Sequence, residues 1–228
     1  MSAGRIVLLV FGVIVLVIAL GLLTAGGVVL WVDNSLKDSG GFITTSDIRL
    51  QRDSYAIVTE PAEIDLGDGW YAWGQPNPDW GDLLTVKIEG SNNDPSKGIF
   101  IGIANNSDLQ EYLKGVEYDK IVDTEYDNNR WRLDYVNHPG TSAPATPASE
   151  DWTASVSGTG EQTLVWPIET GTYSAVVMND DGSPGLDLTV RVGVKVPALF
   201  GLAVGLLVSG AVALLIGIIM VALAVRRR

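Results

Sequence analysis

The sequence predicts an all-β domain, an antiparallel β-sandwich of jelly-roll-like build with one short helix, flanked by two transmembrane α-helices. Three observations predict it. The apolar runs Ile6–Val32 and Ala198–Val225 contain no charged side chain, and each exceeds the ~20 residues that span a bilayer's hydrocarbon core. The 164 residues between them, Asp33 to Val196, hold many short segments of alternating polarity punctuated by turn residues, a pattern of stacked sheets rather than of βαβ units. Cysteine is absent, so no disulfide replaces a hydrophobic core.

These runs divide the chain into a cytoplasmic N-terminus (1–5), a first transmembrane helix (6–32), an extracytoplasmic domain (33–196), a second helix (197–225) and a cytoplasmic C-terminus (226–228). The first run greatly exceeds the 7–15 apolar residues of a signal peptide, so retention is expected over cleavage at Leu23 to Ala25. Arg5 precedes the first run and Arg226, Arg227 and Arg228 follow the second. Cationic flanks favour the cytoplasmic side, which places both termini inside a plasma membrane and the long middle segment outside.

Within the middle segment, Leu186 to Val196 gives the clearest strand. Six apolar residues alternate with Asp187, Thr189, Arg191, Gly193 and Lys195, the period of a half-buried strand. Leu84, Val86 and Ile88 repeat that pattern, as do Trp152, Ala154 and Val156. Ile99 to Ala104 is apolar apart from Gly102 and suits a central strand covered on both faces. Further strands are expected at Phe42–Leu50, Tyr55–Glu60, Lys120–Tyr126, Trp131–Val136, Gln162–Ile168 and Thr172–Asn179. One helix interrupts them at Asp108–Lys114, with Ser107 as cap, Gln110 as its capping-box partner and Gly115 at its end. Asn137 to Glu150, rich in proline and small residues, reads as a mobile loop carrying the single histidine, His138, as a solvated side chain. The last strand enters the second helix through Pro197, a residue suited to a helix's first turn.

All 27 acidic residues fall in the middle segment, and four of the 15 cationic ones lie outside it, so the segment carries a formal charge of −16. Such a surface disfavours nucleic acid. No hydrolase elbow, zinc motif, phosphate loop or dinucleotide fingerprint is present. Neither apolar run holds an ionisable residue, which argues against ion or proton transport by this chain alone. Asn179, Asp180, Asp181 and Asp187 could supply oxygen ligands to calcium, but the same residue types favour a hairpin turn; no cofactor is expected.

Two constellations stand out as candidate sites. Trp70, Tyr71, Trp73 and Trp80, set among glycines, prolines and aspartates, form a candidate recognition loop. Gly201, Gly205, Ser209, Ala213 and Gly217 recur every four residues and form a candidate helix-packing ridge, serving the first helix or another membrane protein.

Gly98 to Ala104, Asp108 to Gly115 with Tyr112 and Leu113, Gly158 to Trp166, and Val177 to Gly185 followed by a strand that enters the last helix resemble segments of an uncharacterised group of prokaryotic two-pass envelope proteins. The resemblance covers roughly Leu83 to the C-terminus and implies an extracytoplasmic β-sandwich without an assigned activity. The expected function is therefore non-catalytic: a membrane-anchored sandwich for protein or ligand interaction, an accessory subunit of an envelope complex. The alternative is a carbohydrate-active or other hydrolytic ectoenzyme using acidic residues near the tryptophan-rich loop. Its expected associates are the bilayer and an envelope protein.

Overall fold

The structure, a computed structural model, describes residues 3–65, 84–128 and 130–226. Chain order begins with helix α1 (Ala3–Ser35) and continues through β1 (Ile43–Thr44), β2 (Ile48–Arg52), β3 (Ala56–Val58), β4 (Ala62–Ile64), β5 (Thr85–Asn92) and β6 (Ile99–Asn105) to a short helix, α2 (Asn106–Tyr112). It then passes through β7 (Tyr118–Asp127), β8 (Arg130–His138), a 3-10 turn (Pro147–Ser149), β9 (Ala154–Gly158), β10 (Gln162–Pro167), β11 (Gly171–Asn179) and β12 (Leu186–Lys195) to helix α3 (Ala198–Val225). Two units result: one is Phe42–Lys195, and the other comprises the two long helices with their flanks.

Helices α1 and α3 are long and apolar enough to cross a membrane, and only 11% of each apolar window is buried within the molecule. Large side chains such as Phe11, Val17, Phe200 and Ile219 are exposed. A helix apolar on all sides needs an apolar surrounding, so the pair points to a membrane protein.

The two helices pack antiparallel through small residues seven apart. Gly12, Ala19 and Gly26 are the buried positions of α1, and Ala203, Gly210, Gly217 and Ala224 those of α3. A Cβ at Gly26 would lie 2.9 Å from Leu207 Cγ and 3.0 Å from its backbone nitrogen, and one at Gly210 would lie 2.9 Å from Leu23 Cγ. Only a missing side chain permits that approach. The period of seven keeps one seam facing the partner helix. The ridge with a period of four is therefore not the seam: Ala213 and Gly217 reach it, whereas Gly201, Gly205 and Ser209 are exposed, with open space beside both glycines. A four-residue repeat drifts around a 3.6-residue helix, so one ridge cannot stay on one face.

In the other unit the strands form two sheets. The five-stranded sheet has the order β1-β12-β5-β10, with β2 also on β12, and every pairing is antiparallel. The seven-stranded sheet has the order β8-β7-β3-β11-β6-β9, with β4 also on β11. Its β3–β7 pairing is parallel, Ala56 to Val58 against Tyr118 to Lys120, which departs from the all-antiparallel expectation. Parallel neighbours need a long crossover; here the chain between them builds β4, β5, β6 and α2.

Side chains from both sheets share one core. Leu50, Ile88, Leu164, Leu186, Leu188 and Val190 of the first meet Ile57, Ile99, Ile101, Ile103 and Val177 of the second. Gly90 admits this contact, since a Cβ there would stand 2.9 Å from Ile99 Cδ1. The opposite face of the seven-stranded sheet is also covered. Ala56, Val58, Phe100, Val176 and Met178 lie under Leu109, Leu113 and Val116, with Trp152 packed beside them. The continuous apolar run of β6 follows from this double burial, with every residue from Ile99 to Ala104 buried. By contrast, the outer face of the five-stranded sheet is wet. Arg191 reaches Glu161 at 2.8 Å and Glu89 at 3.2 Å, and Arg49 pairs with Asp187 at 2.8 Å.

Local chemistry shifts several boundaries. Helix α2 begins two residues early, because Asn105 rather than Ser107 is the cap and its side chain accepts from the Ser107 amide. The Asn137 to Glu150 stretch is fastened rather than free. Strand β8 extends to His138, Tyr112 donates its hydroxyl to the Ala145 carbonyl at 2.7 Å, and Trp152 Nε1 donates to the Pro147 carbonyl at 2.8 Å. His138 is half-buried and stacks on Tyr118 with ring centres 4.5 Å apart, so it is not a solvated loop residue.

Two outcomes follow from this packing. Gly210→Leu should separate α1 from α3 and lower the melting temperature of the detergent-solubilised protein, while Gly205→Leu, facing open space, should leave it unchanged. Burial first and the Glu150 charge second push the Tyr112 hydroxyl up to about 12 from its ordinary 10.0. The folded chain then holds a proton that the unfolded chain loses, so this stability is complete below pH 10 and lost as pH rises towards 12. Tyr112→Phe should flatten that alkaline decline, read as melting temperature against pH.

Candidate functional site

Between the two sheets lies a cleft of about 560 Å³, within the size range of small-molecule sites. Ile48 and Leu50 of β2, Ile88 of β5, and Val190 and Val192 of β12 form one wall. Ile57 of β3, Ile121 and Val122 of β7, Leu133 of β8, and Ala175 and Val177 of β11 form the other. The walls are aliphatic because they continue the inward positions of the shared core. Polar groups gather at the rim: Thr45, Thr59, Glu60, Asp123 and Thr124, with Trp131 alongside.

Three backbone irregularities shape this rim. Residues Ile121 and Asp123 stand opposite Tyr135 and Asp134, which leaves Val122 as an extra residue in β7. Such a bulge bends its strand and re-aims the side chains beside it, and both Ile121 and Val122 face the cleft as a result. Between β1 and β2 the ladder is interrupted at Thr45. Its amide donates to the Val192 carbonyl at 2.9 Å, and its Oγ1 accepts from the Val192 amide at 3.1 Å. Between β3 and β4 the same device recurs, since the Thr59 amide donates to the Ala175 carbonyl and Thr59 Oγ1 accepts from the Ala175 amide, both at 3.0 Å. In each sheet a threonine side chain thus replaces a ladder carbonyl and satisfies an amide that the break would strand.

Trp131 Nε1 donates to Ser46 Oγ at 3.1 Å and ties the β7–β8 hairpin to the β1–β2 edge of the other sheet. Two residues further along β2 and β8 the apolar walls give way to a polar group. The Arg52 guanidinium lies 3.7 Å above the Tyr135 ring, and its Nε is 3.9 Å from Asp119 Oδ2. Asp119 is buried and accepts from Ser54 Oγ at 2.8 Å. Burial pushes the Tyr135 hydroxyl above its ordinary range.

The candidate recognition loop, Trp70, Tyr71, Trp73 and Trp80, lies outside the described residues. The acidic turn is a hydrogen-bonded connection that carries the chain from β11 in one sheet to β12 in the other, so it is not the hairpin expected. Asn179 is fully buried, donates to the Ser183 carbonyl at 2.8 Å and accepts from Asn92 at 2.8 Å. Asp181 accepts from the Ser183 amide at 2.9 Å, and Asp180 from the Gly98 amide at 3.2 Å. Hydrogen bonds from Arg49 and then Asn93 hold the Asp187 carboxyl below its ordinary range. Among the described residues no group of three or more His, Cys, Asp or Glu side chains is placed to hold a metal ion.

Sequence reasoning did not single out the cleft. Its signals are weak: the polar breaks at Thr45-Ser46-Asp47 and Thr59-Glu60-Pro61, and the adjacent apolar pair Ile121-Val122, which violates strand alternation. Each has a local explanation, and only pairing shows that they meet.

No family model and no curated protein matches the chain. A solved structure similar to it is that of CorA, described as a surface-associated copper-binding protein important in copper acquisition by Methylomicrobium album BG8. Identity is 14%, the match covers 71% of this chain and 96% of that one, and the TM-score is 0.25. A likeness at that TM-score carries no weight for fold or ligand.

Thr45→Val keeps the shape of the side chain but strands the Val192 amide, and should cost about 1 kcal/mol, seen as a lowered melting temperature. Thr59→Val, at an exposed bond, should cost less.

Proposed function

We propose that this is a non-catalytic two-pass membrane protein, both termini cytoplasmic, that presents Phe42–Lys195 as an extracytoplasmic sandwich whose inter-sheet cleft binds a small aliphatic molecule. The aliphatic cleft of about 560 Å³ carries this reading. Its walls offer dispersion contact and no polar partner, so a hydrocarbon group gains by leaving water while a polar solute loses its hydration. The cationic flanks at Arg5 and Arg226 support the orientation, and two exposed apolar helices support the anchorage. In that setting the protein serves as an accessory, ligand-holding component of an envelope assembly, alongside the two-pass envelope proteins that its second half resembles.

The test uses the full chain in lipid nanodiscs with a photoactivatable long-chain alkane. Adducts should map to peptides of β7, β8 and β12 as well as to α1 and α3, and Ala175→Phe, which fills the cleft, should remove only the strand adducts. Labelling confined to the two helices would overturn the cleft as a binding site.

A further inference from the structure

We propose that the cleft selects a single-chain amphiphile with an uncharged, oxygen-bearing head, of the long-chain alcohol or monoacylglycerol type, over a fatty-acid anion. This rests on the cleft-binding reading and adds the identity of the head group.

The aliphatic walls can hold only the tail, so any polar head must stay at the rim. There the hydroxyls of Thr45 and Thr59 are set in one hydrogen-bonding sense. Each Oγ1 already accepts a strand amide, from Val192 at 3.1 Å and from Ala175 at 3.0 Å. A hydroxyl that accepts in this way keeps its own O–H to donate. The rim therefore presents donors, and a donor is matched by an ester, ether or hydroxyl oxygen.

Charge excludes the anion. Glu60 and Asp123 line the rim, and Asp134 stands in register opposite Asp123. Lys120 lies 3.8 Å from Glu60 and offsets one carboxylate, and the Asp123 carboxylate accepts from the Thr124 amide. A fatty-acid carboxylate would add a negative charge to a rim where carboxylates outnumber the cation, beside an aliphatic wall that screens poorly. Trp131 cannot rescue it, because its N–H is given to Ser46.

The test compares two photoactivatable probes that share one alkyl chain and end in a monoglyceride ester or a carboxylate, each with the full chain in nanodiscs of zwitterionic lipid at neutral pH. The ester should label the β7–β8 peptides about tenfold more than the carboxylate. Glu60→Gln with Asp123→Asn, two exposed changes that leave the walls intact, should raise carboxylate labelling and narrow that gap. Strand labelling by the carboxylate equal to that by the ester overturns the head-group selection while leaving the cleft as a binding site. If no probe labels the strands, the cleft-binding reading itself is overturned.

Discussion

The β unit depends on burial of β6 and β11 on both faces. These neighbours send Ile99, Ile101, Ile103 and Val177 into the core shared with the other sheet, and Phe100, Ala104, Val176 and Met178 into the layer under α2. Water is thereby kept from the ladder between them, and unpaired backbone groups there would be costly. The outer layer depends on the same strands. Trp152 packs on Phe100 at 4.9 Å and on Tyr112 at 5.2 Å, and Gly102 makes room for it, since a Cβ there would stand 2.9 Å from the indole. One doubly covered strand pair thus fixes both the sandwich interior and the position of the proline-rich segment above it.

The five-stranded sheet answers a different constraint. One face is in the core and the other meets solvent, so its strands alternate cleanly, and ion pairs such as Arg191 with Glu89 and Glu161 spread over the wet side. Such surface pairs add little stability. Cleft and rim arise where this sheet faces the bulged β7–β8 hairpin. The walls inherit aliphatic side chains from core positions, while the rim inherits polar ones from two strand breaks. A cleft of this kind needs no dedicated motif, because it reuses positions already required for folding.

Helices α1 and α3 illustrate how two periodicities compete in one segment. Small residues every four positions are conspicuous in α3, yet the packed seam uses those every seven, at Ala203, Gly210, Gly217 and Ala224, matched by Gly12, Ala19 and Gly26. The reason is geometric: a seam between two long helices must stay on the contact face over several turns, and seven residues return closer to the starting angle than four do. Both helices had to be considered together for the seam to emerge.

Much of the fold was legible because its signals are local. The alternation of Leu186 to Val194, the unbroken apolar run of Ile99 to Ala104 and the two long apolar segments each follow from side-chain burial within one element, and the structure contains them as β12, β6, α1 and α3. Strand β4 went unread because Ala62, Glu63 and Ile64 carry too short a pattern, and the parallel β3–β7 pairing because strand direction leaves no trace in polarity. The cleft was illegible for a related reason: Ile48, Leu133 and Ala175 look like ordinary core residues, and their meeting around an opening is a matter of pairing and bulge. By itself, then, the sequence determined the element types, the apolar ends and the acidic surface, since these depend on the chemistry of near neighbours. Tertiary structure alone decided the helix seam, the sheet order and the cleft, since these depend on which distant side chains compete for the same space.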